Sequence, residues 1–577
     1  MGVTDQLIFL AGSLLTLSIL ATVPADRSGV PLLVVFLGIG MLAGALPLDG
    51  LDLRNVATAH LLGTTALAVI LFDGGLHTPL SSFRTGLGPG VMLATVGVIL
   101  TTAVAAAVFH AWLGLAWPEA MLLAAMVSST DAAAVFYLLR ARGIELYPRV
   151  RNTLEIESGI NDPLAIFLTL AVIEWLTRDG GATGTELISM FVLQLGAGAG
   201  VGVLGGWLLT LAINRCPLST NLYPLQALAG GLLVYGSASL VGGSGFLAAY
   251  LAGLILGNRA RVARRAIQRF HDGVAWLCQI GLFLLLGLLV MPGELIPVAD
   301  RALIAAGVLI LLARPVAVAV CLLPFRFSWR QMTFMSWVGL RGGVPVVLSL
   351  YPLMAGVGFA PDAFNLIFFI VLVSLTLQGW TVGPLARRLG LLLPREHPDT
   401  TRIDLDRPAD HELVVCELPD GSPATRGSLG DLEPPDGVRL IAMVRGDEAR
   451  PPAPDLLLHA GDTLYLVVPT VDTARQERFD HWLDAVGTAH PVQEQAYFGE
   501  FAVDAGAPMA DFVAIYLLGA AVQIQEGESV GDYLQRRLRH RASEGDQVRL
   551  QGVVLVVREM DGGTITTVGV RLPRDTA

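Results

Sequence analysis

The chain has 577 residues, 53% of them apolar and 15% charged, and a mean hydropathy of +0.62, which excludes an ordinary soluble multidomain protein and puts most of the chain in a bilayer. Charge divides it: residues 1–388 hold 21 Arg against 18 Asp plus Glu, near +3, and the rest holds 17 Arg against 31 acids, near −14. Such an acidic tail excludes nucleic acid or anionic lipid as its partner, since both require clustered positive charge. Every basic residue is Arg, so lysine chemistry is absent. Cys216, Cys278, Cys321 and Cys416 lack CxxC or Cys/His spacing and read as small apolar fillers rather than disulfides or zinc ligands. No cofactor is expected.

Asp5 precedes the first apolar run and no basic region does, so residues 7–23 read as a spanning helix rather than a cleaved signal. Apolar runs between polar or Gly/Pro breaks then predict helices near 6–24, 29–47, 58–77, 89–114, 118–139, 152–177, 186–213, 222–241, 245–258, 273–292, 300–323, 331–356 and 364–386. That makes about thirteen spans. Loops after odd-numbered spans carry fourteen Arg, from Arg27 to Arg330, whereas those after even-numbered spans carry Arg54, Arg178 and Arg301. By the excess of Arg on cytoplasmic loops, the N-terminus is expected outside, in the periplasm, and the C-terminus in the cytoplasm.

A charge near mid-bilayer costs at least about 2.5–3.5 kcal/mol, so ionisable groups inside the spans are functional candidates. In the third span Asp73 precedes Gly74-Gly75, where it suits either a functional carboxylate or a helix cap. His110, near the end of the fourth, reads as interfacial. The fifth is interrupted by Ser128-Ser129-Thr130-Asp131, the signature of a discontinuous transporter helix. In the sixth, helical spacing puts Glu155, Ser158 and Asp162 on one face and Glu157 and Asn161 on another, about 100° away. Pro163 frees the Gly159 carbonyl, so carboxylate, hydroxyl and carbonyl can form an all-oxygen site suited to a hard alkali cation. Arg314 reads as structural, paired with Glu155 or a helix C-terminus. Arg341, inside the Gly339-Leu340-Arg341-Gly342-Gly343 interruption of the twelfth span, needs a buried anion and is expected to find it in Glu157. Broken helices seven spans apart fit two inverted six-helix repeats around a linking helix, with a binding site at mid-membrane. Buried Asp, Asn and Ser can also act as interhelical glue, worth about 0.6 kcal/mol, but two carboxylates beside helix breakers are costly for that purpose.

Thr130-Asp131, Glu157-Ser158-x-x-Asn161-Asp162 and the Gly-Leu-Arg341-Gly-Gly helix together resemble the monovalent cation:proton antiporters of the NhaP type, over essentially the whole membrane region. The resemblance implies a homodimer in which a mobile core moves against a scaffold. It also implies a cation held transiently by Asp162, Asp131, Ser158 and the Thr130 carbonyl, with a Glu157–Arg341 pair behind them. Asn161 stands where electrogenic relatives carry a second aspartate, which implies electroneutral exchange. A partly desolvated carboxylate favours a neutralising occupant, so proton and cation compete for it and either lets the core cross.

Beyond residue 388, a polar, Pro-containing linker (389–409) leads to two β-rich modules. Residues 410–470, with Gly461-Asp462 before a last strand, resemble the TrkA-C (RCK-C) lobe of potassium-uptake regulators. Residues 485–577 resemble the CorC/HlyC transporter-associated domain. No GxGxxG fingerprint marks a dinucleotide lobe. These modules imply tail regulation, through a small ligand of unknown identity, and favour K⁺ over Na⁺. The expected protein is therefore a polytopic α-helical bacterial inner-membrane exchanger with α+β cytoplasmic domains. A regulated cation channel would line a symmetry axis with carbonyl or acidic rings, and a membrane enzyme would carry HExxH, GxSxG or metal-ligand spacing. The spans show neither.

Overall fold

In the computed structural model, the described residues are 3–28, 30–45, 55–80, 82–140, 145–177 and 184–393, then 400–404, most of 411–469, scattered positions between 479 and 486, and most of 501–572. They form two units, residues Met1–Leu392 and Leu393–Ala577. Much of the expected 389–409 linker and the start of the 485–577 module lie outside the described residues.

Each apolar run of the first unit folds as helix, because in hydrocarbon only a helix satisfies its own backbone. The elements are α1 (Val3–Ser28), α2 (Leu32–Gly44), α3 (Val56–His77), α4 (Ser82–Met92) running through a π-turn into α5 (Val98–Leu113), α6 (Trp117–Met126), α7 (Ala132–Arg140), α8 (Pro148–Thr177) and α9 (Gly184–Arg215). They continue as α10 (Leu222–Leu240), α11 (Gly245–Arg259), α12 (Arg264–Leu289), a single turn α13 (Pro292–Leu295), α14 (Ala299–Val308), α15 (Arg314–Leu322), α16 (Trp329–Trp337), α17 (Gly343–Met354) and α18 (Ala360–Leu389). Eight helical stretches among the described residues are long and apolar enough to cross a membrane. The main departure from the hydropathy reading is α12, which starts at Arg264 rather than near 273. Its first turns are too polar to score as a span, yet they bury Ile267 and His271.

Two helix groups emerge from the packing. In one, α3 lies on α11 and α12, α2 on α12, and α9 on α10 and α11; in the other, α8 packs on α4 and α6, α14 on α18, and α15 on α16. Small residues let the backbones of the first group touch. A Cβ at Gly40 would lie 3.0 Å from the Gly287 Cα, and one at Gly287 only 2.8 Å from the Gly40 Cα. At the α3–α11 contact, a Cβ at Gly253 would collide with the Phe72 carbonyl oxygen.

The second unit contains two antiparallel sheets. The first runs in the order 400–404, 411–417, 463–469, 439–445 and 448–450; the second runs 501–504, 564–571, 553–561 and 547–550. Residues 463–469 alternate buried and half-buried positions, so Leu464, Leu466 and Val468 face the core, as a period of two requires. At the preceding turn Gly461 adopts φ +84°, and the buried Asp462 carboxylate accepts from Arg445 Nε and Nη2, both at 2.7 Å, and from the His459 N–H at 2.8 Å.

Gly253→Leu should wedge α11 off α3. Overpacking costs about 1–3 kcal/mol, so the detergent-solubilised variant should melt below wild type, whereas Gly74→Ala, which meets open space, should melt with it.

Candidate functional site

Two interrupted helices build the centre of the site. Polar residues 128–131 at the first break, and Gly339 and Gly342 at the second, leave backbone groups without helical partners, and α6–α7 and α16–α17 cross at their gaps, where they exchange those groups. The Asp131 N–H donates to the Leu340 carbonyl at 2.8 Å. Arg341 Nη1 donates to the Ser128 and Ser129 carbonyls at 2.7 and 2.6 Å, placing a cation at the C-terminal end of α6 where the helix dipole favours one. Asp131 does the converse for α7: its Oδ1 accepts from the Ala134 N–H at 3.1 Å. The glycines of the second gap make the crossing close. A Cβ at Gly339 would fall 2.9 Å from Arg314 Nε, and one at Gly342 would run into the Asp131 carboxylate.

α8 passes beside this crossing, and its polar residues divide between two faces as helical spacing requires. Glu155, Ser158 and Asp162 line a cavity of about 350 Å³, together with Asp131 and Asp73. Asp162 is 5% exposed, with the Asp131 charge and the Ser129 hydroxyl nearby, and Ser158 Oγ accepts from the Ala132 N–H at 3.2 Å. On the other face, Asn161 Nδ2 donates to both the carbonyl and the hydroxyl of Thr130, at 3.1 and 2.9 Å. The Thr130 carbonyl, a candidate ligand by resemblance, is therefore already engaged. Asn161 Oδ1 is buried with no hydrogen-bond partner among the described residues.

Two expected pairings are corrected. Glu157 does not meet Arg341. Its carboxylate is held bidentately by Arg314 through Nη1–Oε1 and through Nη2–Oε2 at 2.9 Å, with both side chains buried. Arg314 follows directly on a π-turn, Leu309–Ala313, and also reaches the Met335 carbonyl at 3.4 Å near the end of α16. Of its two expected partners it therefore takes the helix end, besides Glu157, and not Glu155, whose Oε1 accepts from Arg151 Nε at 3.0 Å. The physical reason is local: the orphan carbonyls of the α6 break lie within reach of Arg341, and Arg314 fills the Glu157 side of the crossing.

From the buried Asp162 the cavity runs to groups that reach water. His77 lies between Asp73 Oδ1 (3.3 Å) and Asp272 Oδ1 (3.4 Å), with His77 39% and Asp272 58% exposed. These three are the metal-ligand-type grouping found among the described residues. Asp73 is thus a cavity-lining residue on α3 beside His77, one turn before the helix ends. His110, as expected of a residue near a helix end, bonds the Leu115 carbonyl at 2.7 Å and stacks on Trp117.

Hydropathy filtering missed the uncharged supports. Ser374 Oγ accepts from the Arg341 N–H at 2.9 Å and bonds Gln378 Oε1, and Gln378 Nε2 donates to the Trp337 carbonyl at 2.5 Å, the last residue of α16. Their signal was a buried i,i+4 polar pair in an apolar helix.

The membrane region matches the family described as "Sodium/hydrogen exchanger, transmembrane" over residues 13–388. In the tail, residues 413–479 match the TrkA-C domain and residues 494–574 the transporter associated domain. Similar proteins include the K(+)/H(+) antiporter NhaP of Alkalimonas amylolytica, 39% identical over 577 residues and covering 98% of each chain. The K(+)/H(+) antiporter NhaP2 of Shewanella baltica is 39% identical with the same coverage. The Na(+)/H(+) antiporter NhaP of Pseudomonas aeruginosa is 30% identical over 363 residues, covering 58% of this chain and 83% of that protein. The fold is that of the sodium proton antiporter MjNhaP1 from Methanocaldococcus jannaschii, with a TM-score of 0.59 at 24% identity, over 67% of this chain and 99% of that one.

Removing one partner of the buried Glu157–Arg314 pair leaves a bare charge, a loss of about 3–5 kcal/mol. Arg314→Ala should therefore lower yield and melting temperature sharply. The Glu157→Gln/Arg314→Gln double variant should regain much of the loss in the same melting assay.

Proposed function

The chain belongs to the sodium/hydrogen exchanger family, and from that premise we propose that it exchanges K⁺ for H⁺ one for one, with Asp162 as the carboxylate whose occupant alternates. As a member of that family it is a cation/proton antiporter and not an enzyme. The observation that carries the site reading is the placement of Asp162: buried at the crossing of two broken helices, yet lining a cavity that leads to exposed groups. Asp131, Ser158 and the remaining lone pair of the Thr130 carbonyl stand beside it as oxygen donors.

A bare carboxylate is poorly solvated there, so it favours a neutralising proton or cation. Movement of α8 and its group against the other helix group would then carry either occupant across, while the empty, charged site pays the full desolvation cost. Such a movement is alternating access of the elevator kind. The cavity mouth is built by the end of α3 and the starts of α8 and α12, next to the Arg-rich loops, so on charge grounds it opens to the cytoplasm. We place the protein in the bacterial inner membrane with about thirteen spans in inverted repeats, its N-terminus periplasmic and its C-terminus cytoplasmic. We infer a homodimer; α1 and α9, the least buried spans, supply apolar surface for lipid and for a second copy.

K⁺ is favoured over Na⁺ because relatives named for potassium align along the whole chain, tail included, whereas the one named for sodium aligns with 58% of it. The TrkA-C and transporter-associated segments are proposed to regulate exchange in response to a small ligand. Proton-driven loss of K⁺ would otherwise drain the cell.

Asp162→Asn should abolish cation-dependent proton flux in proteoliposomes while folding normally, because the amide keeps the volume and loses the titrating charge. Measurable K⁺- or Na⁺-driven flux in that variant would remove Asp162 from the centre of the mechanism. Wild-type exchange with K⁺, Na⁺ and Li⁺ across a pH gradient reads the preference directly.

Electroneutrality gives a further test. Asn161 is uncharged and spent on Thr130, so the carrier bears the same charge with H⁺ as with K⁺. A potential does work of about 2.3 kcal/mol per charge per 100 mV only on net charge moved. Initial exchange rates at fixed pH should therefore be equal under inside-negative and inside-positive potentials. A rate that follows the potential would mean that another carboxylate carries a second proton.

A further inference from the structure

Tyr250, on α11, is 3% exposed, and its hydroxyl stands beside the Thr78 hydroxyl and near the Glu155 carboxylate. The neighbouring Thr78 hydroxyl donates to the Gly74 carbonyl at 2.7 Å. The hydroxyl end of the phenol ring presses on α8: a Cβ on Gly159 would sit 2.5 Å from its Cζ and 2.7 Å from its Oη. Gly159 follows Glu155 by one turn and precedes Asp162 by three residues, so the hydroxyl stands on the face of α8 that carries Glu155, Ser158 and Asp162. Tyr250 also lines the same cavity.

α11 and α8 belong to different helix groups. A Tyr250 hydroxyl placed over α8 is therefore a group that one helix set offers to a site carried by the other, and it is in place only while the two are in this register. We propose that Tyr250 is a positioning residue of the exchange site, its hydroxyl bonding a water of the cation held at Asp162 when the site faces this cavity. The inference rests on the Asp162 reading and deepens it: cation affinity is set differently on the two sides of the membrane, because Tyr250 supports it on one side alone. An absent side chain at position 159 is what allows the approach.

The test is Tyr250→Phe, which keeps the ring on Gly159 and removes the hydroxyl. Exchange is measured in membrane vesicles of each orientation, with K⁺ varied on one side at a time. A net hydrogen bond is worth a factor of about two to ten in affinity, so the K⁺ KM on the cavity side should rise by about that factor. The maximal rate should stay within about twofold, and the KM on the opposite side should not move. An unchanged cavity-side KM overturns the proposal, as does an equal rise on both sides, which marks a general packing effect. Asp162→Asn in the same vesicles separates the two readings. Exchange persisting in Asp162→Asn overturns the site assignment itself, whereas loss of exchange there with wild-type behaviour of Tyr250→Phe overturns the role of Tyr250 alone.

Discussion

The break between α6 and α7 leaves backbone carbonyls and amides without helical partners in a place where no bulk water can take them, and the site is organised around satisfying those groups. Arg341 takes the Ser128 and Ser129 carbonyls, Asn161 the Thr130 carbonyl, the Leu340 carbonyl the Asp131 N–H, and Ser158 the Ala132 N–H. Each partner comes from α8 or from the α16–α17 break. The gap can stay open only where α8 and the α16–α17 break converge, so the backbone's hydrogen-bond requirement fixes the position of the two aspartates.

The buried charges follow from the same requirement. Arg314 neutralises Glu157 on the side of α8 away from the cavity, and Arg341 is balanced by helix-end carbonyls rather than by a carboxylate. Neither Arg makes a salt bridge with Asp131 or Asp162 among the described residues. A guanidinium on Asp162 would have bound the carboxylate permanently and left no place for an exchanging ion. With these two buried cations assigned elsewhere, neither is a fixed partner for the Asp162 carboxylate, which is what the proposed exchange by competition requires.

The uneven packing of the helices fits the proposed movement. Within each group, glycines at backbone crossings such as Gly40–Gly287 and Gly253–Phe72 leave no slack. Between the groups the contacts are sparser, and at Tyr250 over Gly159 a ring fills the space a side chain would otherwise take. A boundary of that kind suits sliding.

Much of this was legible in the chain itself. Hydrocarbon length and the cost of unsatisfied backbone made each apolar run a helix, and four consecutive polar residues at Ser128–Asp131 and the Gly342-Gly343 pair announced the breaks. A period of 3.6 sorted Ser158 and Asp162 from Glu157 and Asn161, because faces of one helix depend on local geometry alone. Pairing across helices does not. Whether Glu157 meets Arg314 or Arg341 depends on the rotation of α15 and α16–α17 about their axes, and a π-turn before Arg314 changes that rotation without any mark in composition. The places of Ser374, Gln378 and Tyr250 were equally hidden. They are uncharged, their spacing fits any buried helix, and only the packing of residues far apart in sequence brings them to the crossing. Helices, their breaks and the face that carries Asp162 follow from local pattern, whereas the sharing of each buried charge follows from distances between helices, which no local pattern encodes.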